Sequence, residues 1–264
     1  MDWDAAYDNR AAVPDFQDHI DHWARAARYF RHDGNFIGKY DLAYGDHPRQ
    51  KYDLIRAFPP ARGGVIFVHG GYWRALDKSY FTHLAAAFLT QGFDVALINY
   101  PFVTDTRVPD ITRSVTQAIE TIAKDMLDPI HLIGHSVGGH LVARQICNDI
   151  ASNSSATGKF ASATMLSGLF DLTPLLNLEL NEEFQLTKES AKSESPIQYS
   201  SVLKNVNIVV GGDELPAFIE QSETMASNWD GADLIIADVH NHFTILNELR
   251  DPRNPLVQKI IGTV

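Results

Sequence analysis

Short apolar runs alternate with amphipathic stretches along most of the chain. Each apolar run has few polar positions, which is typical of a strand buried on both faces of a sheet. The predicted strands are residues 65–68, 93–98, 129–133, 161–166, 206–210 and 234–239. Between these runs, apolar residues recur at the spacing of one face of a helix. The predicted helices are residues 16–29, 79–91, 111–122, 137–150 and 216–229, with a further helical stretch in the C-terminal tail.

This alternation predicts an α/β fold, in which a mostly parallel sheet is covered by helices on both faces. Residues 40–44 and 52–56 instead alternate with period two on either side of a turn, and they predict an antiparallel hairpin at the edge of the sheet. Neither a repeat nor a linker divides the chain, so we expect one domain over residues 1–264. Residues 167–200 are acidic, leucine-rich and irregular, and we expect them to form a cap or lid.

Composition narrows the functional classes. The 264 residues are 45% hydrophobic and 21% charged, the balance of a globular protein rather than a disordered or fibrous one. The net charge of −11 argues against nucleic acid as a partner, because phosphate would be repelled. The single cysteine, Cys147, excludes an internal disulfide framework. With neither a signal peptide nor a membrane-spanning run in the sequence, we expect a cytoplasmic protein with no membrane partner.

The most informative local motif is Gly134-His135-Ser136-Val137-Gly138, which follows a predicted buried strand and opens a predicted helix. A serine at such a tight strand-to-helix turn is held in a strained conformation that exposes its hydroxyl above the sheet. Small residues are needed two positions before and after it, because side chains there would collide across the turn. We therefore predict that Ser136 is a catalytic nucleophile. The alternative is a glycine-rich turn with an idle serine.

A second motif, H-G-G-Y-W, begins at His69 at the end of another central strand. Acyl transfer needs hydrogen-bond donors at the point where the oxyanion forms. Consecutive glycines allow backbone N–H groups to turn toward that point, so we expect Gly70 and Gly71 to form an oxyanion hole. The N–H of Val137, directly after the nucleophile, should complete it.

The aromatic residues of this motif have two interpretations. Tyr72 and Trp73 are either core residues or the wall of an aromatic substrate pocket, and we predict the pocket. The acidic residues of the predicted cap, which include Glu179, Glu182 and Glu183, are most simply a solvated surface.

A serine nucleophile needs a base, and the base needs an acid that orients it. In an α/β-hydrolase arrangement the acid and then the histidine follow the serine along the chain, with the histidine in the loop after the last strand. This order leaves His240 and His242 as candidate bases, and we predict His242 because His242-Phe243 opens a predicted helix directly after the loop. The acid should follow the strand at 206–210, where Glu214 lies three positions after the glycine at the strand end and Asp213 stays the alternative.

Other chemistries find less support in the sequence. The histidines near Ser136 do not form an H-E-x-x-H motif, and there is no cysteine cluster, so we expect no metal site. The chain has no nucleotide-binding glycine motif either, so we expect no cofactor. The expected partner is a small-molecule substrate, and the sequence leaves a homodimer open.

Taken together, the sequence resembles the α/β-hydrolase superfamily, in the branch of the kynurenine formamidases (arylformamidases) and related HGG-type esterases. The resemblance covers nearly the whole chain. Its strings are Tyr7-Asp8-Asn9-Arg10 with Val13-Pro14, Tyr44-Gly45 with Arg49-Gln50-Lys51 and Asp53-Leu54, His69-Gly70-Gly71-Tyr72-Trp73, Gly134-His135-Ser136-Val137-Gly138-Gly139-His140, Glu214-Leu215-Pro216-Ala217-Phe218 and His242-Phe243.

The resemblance implies a serine hydrolase that acts on N-formylkynurenine or a related aryl formamide. It also favours Glu214 as the acid, because the family's acid lies two residues before a proline, although the formamidases carry aspartate there. The alternatives are a carboxylesterase or thioesterase that acts on small acyl esters and, more remotely, a non-catalytic binding protein with this fold.

Overall fold

A single eight-stranded sheet runs through the molecule. The computed structural model describes residues 2–58 and 60–262 of the chain. Its strands are β1 (Ile37–Ala43), β2 (Lys51–Arg56), β3 (Gly63–Val68), β4 (Phe93–Ile98), β5 (Ile130–His135), β6 (Phe160–Leu166), β7 (Val206–Gly211) and β8 (Ala232–Ala237).

The strand order in the sheet is β1-β2-β4-β3-β5-β6-β7-β8. The pairs β1–β2 and β2–β4 are antiparallel, and every pair from β4 to β8 is parallel. The predicted mostly parallel sheet and the edge hairpin are therefore confirmed. Because β3, β5, β6 and β7 all end at the same edge, the loops that follow them meet there, as expected for a ligand site in such a sheet.

Helices cover both faces of the sheet. They are α1 (Trp3–Tyr7), α2 (Asn9–Ala12), α3 (Phe16–His32), α4 (Ala85–Leu89), α5 (Val108–Asp125), α6 (Val137–Gln145), α7 (Asn148–Ala151), α8 (Asn181–Phe184), α9 (Lys188–Ser193), α10 (Pro216–Asn228) and α11 (Pro255–Ile260). Alternate strand residues build two cores. Ile66, Leu132 and Ile208 pack with α5, α6 and α10, whereas Val65, Phe67 and Val209 pack with α3, α4 and α11.

Three of the predicted helices have different limits in the structure. Residues 79–91 contain two short 3₁₀ turns, Lys78–Tyr80 and Thr82–Leu84, before α4. The Lys78 side chain is 2% exposed, and its Nζ lies 2.8 Å from Oδ1 of Asp53. This buried ion pair fixes the backbone around Lys78, and the stretch does not form a regular helix. The helix predicted after Asp110 begins at Val108, because a proline at its first turn suits a helix start.

The helix predicted over residues 137–150 is interrupted between α6 and α7. Cys147 there has an extended backbone (φ −67°, ψ 139°) and forms an isolated bridge with Ser201. The tertiary contact with the 196–203 segment therefore ends α6 earlier than the apolar spacing indicates.

The predicted cap segment, residues 167–200, contains two 3₁₀ turns, Thr173–Asn177 and Pro196–Gln198, and the short helices α8 and α9. It is well packed, since Leu172, Leu175 and Phe184 are fully buried in the core. The segment follows β6 and therefore lies at the edge of the sheet where the candidate site forms. This position is what a cap requires.

Candidate active site

Ser136 occupies a strained turn between β5 and α6. Its φ of 57° and ψ of −125° lie in a region that a non-glycine residue rarely adopts. The turn is tight, because a Cβ on Gly134 would lie 2.1 Å from the carbonyl oxygen of Gly138. A Cβ on Gly138 would in turn lie 2.1 Å from the carbonyl oxygen of Val68. The glycines that flank Ser136 are thus required by the close approach of β5, α6 and the end of β3.

The loop after β3 lies directly against Ser136. A Cβ on Gly70 would lie 2.8 Å from the Cβ of Ser136. The next three residues, Gly71, Tyr72 and Trp73, all have positive φ angles, of 113°, 50° and 55°. This left-handed turn directs the chain away from the sheet immediately beside Ser136.

Backbone donors are available on both sides of Ser136. In the described part of the chain, the N–H groups of Gly70, Gly71 and Tyr72 donate to no protein acceptor. The N–H of Val137 belongs to the first turn of α6, where helix geometry supplies no intrahelical partner. These groups are of the type that an oxyanion hole needs.

His69 holds the loop after β3 in place. Its Nδ1–H donates to the carbonyl oxygen of Gly70 at 2.6 Å, and its ring stacks on that of Tyr100 with centroids 4.6 Å apart. The Tyr100 hydroxyl donates to the His69 carbonyl oxygen at 2.9 Å. Burial lowers the pKa of His69 to about 4, so the ring is neutral near pH 7. His69 therefore supports the backbone and is not a candidate base.

His242 and Glu214 form a buried pair. The distance between Nδ1 of His242 and Oε2 of Glu214 is 2.8 Å, and the glutamate side chain is fully buried. The other carboxylate oxygen, Oε1, accepts hydrogen bonds from the Ser167 hydroxyl at 2.5 Å and from the Gly211 N–H at 2.8 Å. Three donors thus hold the carboxylate, as is needed for a buried charge.

The alternative acid and base lie elsewhere. The Asp213 side chain is exposed, and its backbone N–H donates to the His240 carbonyl oxygen at 3.0 Å. His240 pairs with Glu248, with Nε2 and Oε1 2.9 Å apart. The structure therefore joins Glu214, and not Asp213, to His242.

His135 connects the nucleophile turn to the histidine loop. Burial lowers its pKa to about 3, so the ring is neutral and its Nε2–H donates to the His242 carbonyl oxygen at 2.8 Å. The rings of His135 and His242 lie with centroids 5.0 Å apart. His135 thus positions the backbone that carries His242.

A cavity of about 680 Å³ brings the candidate residues together. Ser136, His242, Gly71 and Tyr72 line it on the sheet side. The other walls come from the N-terminal segment, from α3 and from the cap segment: Asp4, Tyr7, Asp8, Asn9, Arg10, Ile20, Trp23, Leu178, Glu179, Leu180, Glu182 and Glu183. The site is therefore a cleft between the sheet edge on one side and the N-terminal segment, α3 and the cap segment on the other.

One prediction about the pocket needs correction. Trp73 does not line the cavity. It is fully buried and packs edge-on against His140 and Phe184, with centroids 5.3 and 5.5 Å away, because its left-handed backbone turns the indole into the core. The cap residues Glu179, Glu182 and Glu183 line the cavity, and Glu179 and Glu182 are also exposed, as a solvated surface requires.

Sequence reasoning missed two parts of the site. One is Ser167, which supports Glu214 and could have been found because it follows β6 at the same sheet edge. The other is the wall formed by the N-terminal segment, where Tyr7-Asp8-Asn9-Arg10 entered only as part of a resemblance. The Tyr72 hydroxyl anchors this segment by donating to the Tyr7 carbonyl oxygen at 2.7 Å.

The described part of the chain contains no group of three or more histidine, cysteine, aspartate and glutamate side chains arranged to hold a metal ion. None of its helices is both long enough and apolar enough to span a membrane.

Comparison with known proteins shows the family to which this chain belongs. The family model BD-FAE matches residues 60–228, a range that includes β3, the nucleophile turn and the loop of Glu214. The chain belongs to the BD-FAE family of α/β-hydrolases. The predicted fold family is therefore confirmed.

Two curated relatives cover most of the chain. The kynurenine formamidase of Danio rerio is 30% identical, over 84% of this chain and 80% of its own length. The kynurenine formamidase of Salmo salar is 31% identical over the same shares. The resemblance to the kynurenine formamidase branch is thus confirmed.

Solved structures extend the comparison. A Silicibacter protein provisionally described as a thioesterase superimposes with a TM-score of 0.94, at 37% identity over 99% of both chains. An esterase from Pyrobaculum calidifontis has a TM-score of 0.68 at 14% identity, over 93% of this chain and 90% of its own, and so shows the fold alone. The chain is a hydrolase, and the non-catalytic alternative has no support.

Proposed function

We propose that the protein is a serine hydrolase that removes a small formyl or acyl group, with an aryl formamide such as N-formylkynurenine as its preferred substrate. The observation that carries this proposal is the shared cavity, which is lined both by the strained Ser136 and by His242, whose ring is hydrogen-bonded to the buried Glu214. The kynurenine formamidases among its relatives support the choice of a formamide.

In the proposed first half-reaction, His242 takes the proton of the Ser136 hydroxyl through Nε2 while Oγ attacks the formyl carbon. Glu214 accepts the hydrogen bond of Nδ1–H and thereby stabilises the imidazolium that forms. The negative charge on the carbonyl oxygen is held by the N–H of Val137 together with those of Gly70 and Gly71. His242 then gives its proton to the aryl amine, which leaves.

In the second half-reaction, His242 deprotonates a water molecule that attacks the formyl ester on Ser136. The C–O bond to Oγ breaks, the serine regains its proton from His242, and formate leaves. No redox step and no further reactant are needed. His69 and His135, whose pKa values are lowered by burial, stay neutral throughout, so the site needs little rearrangement as charge develops on the oxyanion.

A second function is a carboxylesterase or thioesterase that acts on small acyl esters. The Silicibacter protein, at 37% identity over 99% of both chains, favours this alternative. The same residues would act in the same order, with an alcohol or thiol as the leaving group in place of an amine.

One experiment separates the two functions. The ratio kcat/KM is measured on purified protein with N-formyl-L-kynurenine and with short-chain p-nitrophenyl esters. We expect the formamide to be the better substrate. Efficient ester hydrolysis without measurable formamide hydrolysis would replace the first function by the second.

The mechanism itself is tested with Ser136→Ala. We expect kcat to fall by about a million-fold on either substrate, because the nucleophile is lost, with little change in unfolding temperature. Labelling by a fluorophosphonate should occur in the wild type and be absent in the variant. Turnover by the variant at the wild-type rate would refute the serine mechanism.

A further inference from the structure

The N-terminal wall of the cavity contains two hydrogen-bond donors that have no acceptor. Asn9 is only 5% exposed and lines the cavity, yet its amide nitrogen Nδ2 has no hydrogen-bond partner among the described residues. A buried donor without a partner costs free energy in the free protein. A ligand that accepts this hydrogen bond would remove that cost.

Arg10 is the second donor. Its side chain is exposed and lines the same cavity, with the guanidinium carbon 5.5 Å from the centroid of the Phe16 ring. In the described part of the chain no carboxylate lies within ion-pair distance of it. Arg74, the other arginine of the cavity, differs in this respect because it pairs with Glu183 at 3.0 Å.

The geometry points to a binding site for a carboxylate on the non-reacting part of the substrate, with Asn9 and Arg10 as the residues that bind it. A guanidinium and an amide N–H that line the same cavity are donors of the kind that hold a carboxylate. This inference rests on the proposed function, whose cavity it shares, and it names the substrate class more closely.

The remaining charges of the cavity restrict the substrate further. Five acidic side chains line the cavity with the two arginines, so the lining carries an excess of three negative charges: Asp4, Asp8, Glu179, Glu182 and Glu183 against Arg10 and Arg74. A substrate with negative charge alone would be repelled. The carboxylate is therefore expected on a molecule that also has a positive charge, as an amino acid does.

The test compares two formamides that differ only in this carboxylate. N-formyl-L-kynurenine has it, and N-formylkynuramine has the amine but no carboxylate. We expect Arg10→Gln to raise KM about fivefold for the first substrate, with kcat little changed, and to leave both constants for the second unchanged. Arg10→Lys should recover part of the loss, because it keeps the charge.

A second variant and a control accompany Arg10→Gln. Asn9→Asp replaces the amide donor with a like charge, so it should raise KM for the carboxylate substrate more than for the amine. Arg28→Gln is the matched control, since Arg28 is also exposed but does not line the cavity. It makes the same change in net charge and should leave both substrates unaffected. Unfolding temperatures show that each variant is folded.

Equal effects of Arg10→Gln on the two substrates, or none on either, would refute the carboxylate site. If the protein hydrolyses esters and no formamides, the proposed formamide substrate is refuted, but the carboxylate site can still be tested with a pair of esters. The pair is then O-acetyl-L-tyrosine, which has an amine and a carboxylate, and O-acetyltyramine, which has the amine but no carboxylate. A KM increase in Arg10→Gln that is confined to O-acetyl-L-tyrosine supports the site, and equal changes for the two substrates reject it.

Discussion

Two histidine–glutamate pairs lie close together in the C-terminal part of this molecule. His242 pairs with Glu214 at 2.8 Å, and His240 pairs with Glu248 at 2.9 Å. The two distances are nearly the same, but the surroundings differ. The side chains of the first pair are 7% and 0% exposed, whereas those of the second are 17% and 26% exposed.

The two pairs differ in what lies beside them and in how their carboxylates are held. His242 lines the cavity with Ser136, and Glu214 is held by two further donors inside the protein. His240 does not line that cavity, and Glu248 accepts from Asn254 at 3.1 Å near the surface. What distinguishes the candidate catalytic pair is its place beside a nucleophile and the network that fixes its carboxylate.

The strongest test of this comparison replaces the two histidines in turn. We expect His242→Ala to lower kcat by about a million-fold, as loss of a catalytic base does when the residues act as a unit. His240→Ala should leave kcat within about twofold, because a partly exposed ion pair contributes little. Steady-state kinetics on N-formyl-L-kynurenine measures both. A large loss from His240→Ala would assign the base to the other pair.

The next test replaces the acids. Glu214→Gln should lower kcat about ten-thousand-fold, because the imidazolium loses its orienting charge. Glu248→Gln and the exposed Asp213→Asn are the matched controls and should have almost no effect on turnover. Should Asp213→Asn be the damaging change instead, the assignment of the acid would pass from Glu214 to Asp213.

A smaller effect on kcat is expected for Ser167, which hydrogen-bonds to Glu214 and not to His242. Ser167→Ala removes the hydroxyl that donates to Glu214 at 2.5 Å, and kcat should fall about tenfold. Asn254→Ala removes the corresponding donor to Glu248 and should not change kcat. Equal kinetics for the two variants would mean that the network around Glu214 does not matter for turnover.

The smallest expected effect is on stability and concerns His135, which binds the loop of both pairs. Its pKa is lowered to about 3 by burial, from 6.5 in the unfolded chain. Between these two pH values the unfolded state therefore binds more protons than the folded state. The contribution of neutral His135 to the free energy of unfolding is complete above pH 6.5 and is lost as the pH falls toward 3. By pH 5.5 the loss is about 1 kcal/mol.

Urea denaturation at pH 7.5 and 5.5 measures this effect, and His135→Gln is the variant to compare, because glutamine does not titrate. We expect a smaller difference between the two pH values in the variant than in the wild type. The same difference in both proteins would show that His135 already titrates normally in the folded state.

Much of the fold could be predicted because periodicity reports burial directly. The strand Phe93–Ile98 and the hairpin at the sheet edge follow from their apolar patterns alone. The residues at which helices begin and end were harder to predict from the sequence. The interruption at Cys147 depends on Ser201, and the 3₁₀ turns near Lys78 depend on Asp53, so contacts between distant residues decide them.

Some residues of the candidate site could also be predicted from local sequence pattern, and others could not. Ser136 could be predicted because the strained turn leaves a local signature, the flanking glycines, in the sequence. Trp73 could not, since the same aromatic residue suits a pocket wall or a core, and only its left-handed backbone decides between them. The roles of Ser167 and of the Asn9–Arg10 wall could not be assigned from local pattern, since they depend on contacts with Glu214 and with the cavity that the tertiary structure creates.

The sequence by itself therefore determined the α/β architecture, the nucleophile turn and the chain order of the candidate triad, because each depends on neighbouring residues or on strand order. Only the tertiary structure decided that Glu214, rather than Asp213, contacts His242, and that the N-terminal segment forms a wall of the cavity. The physical reason is that adjacent side chains point in different directions from one backbone. Which of them meets a distant partner is set by how the loops pack at the edge of the sheet.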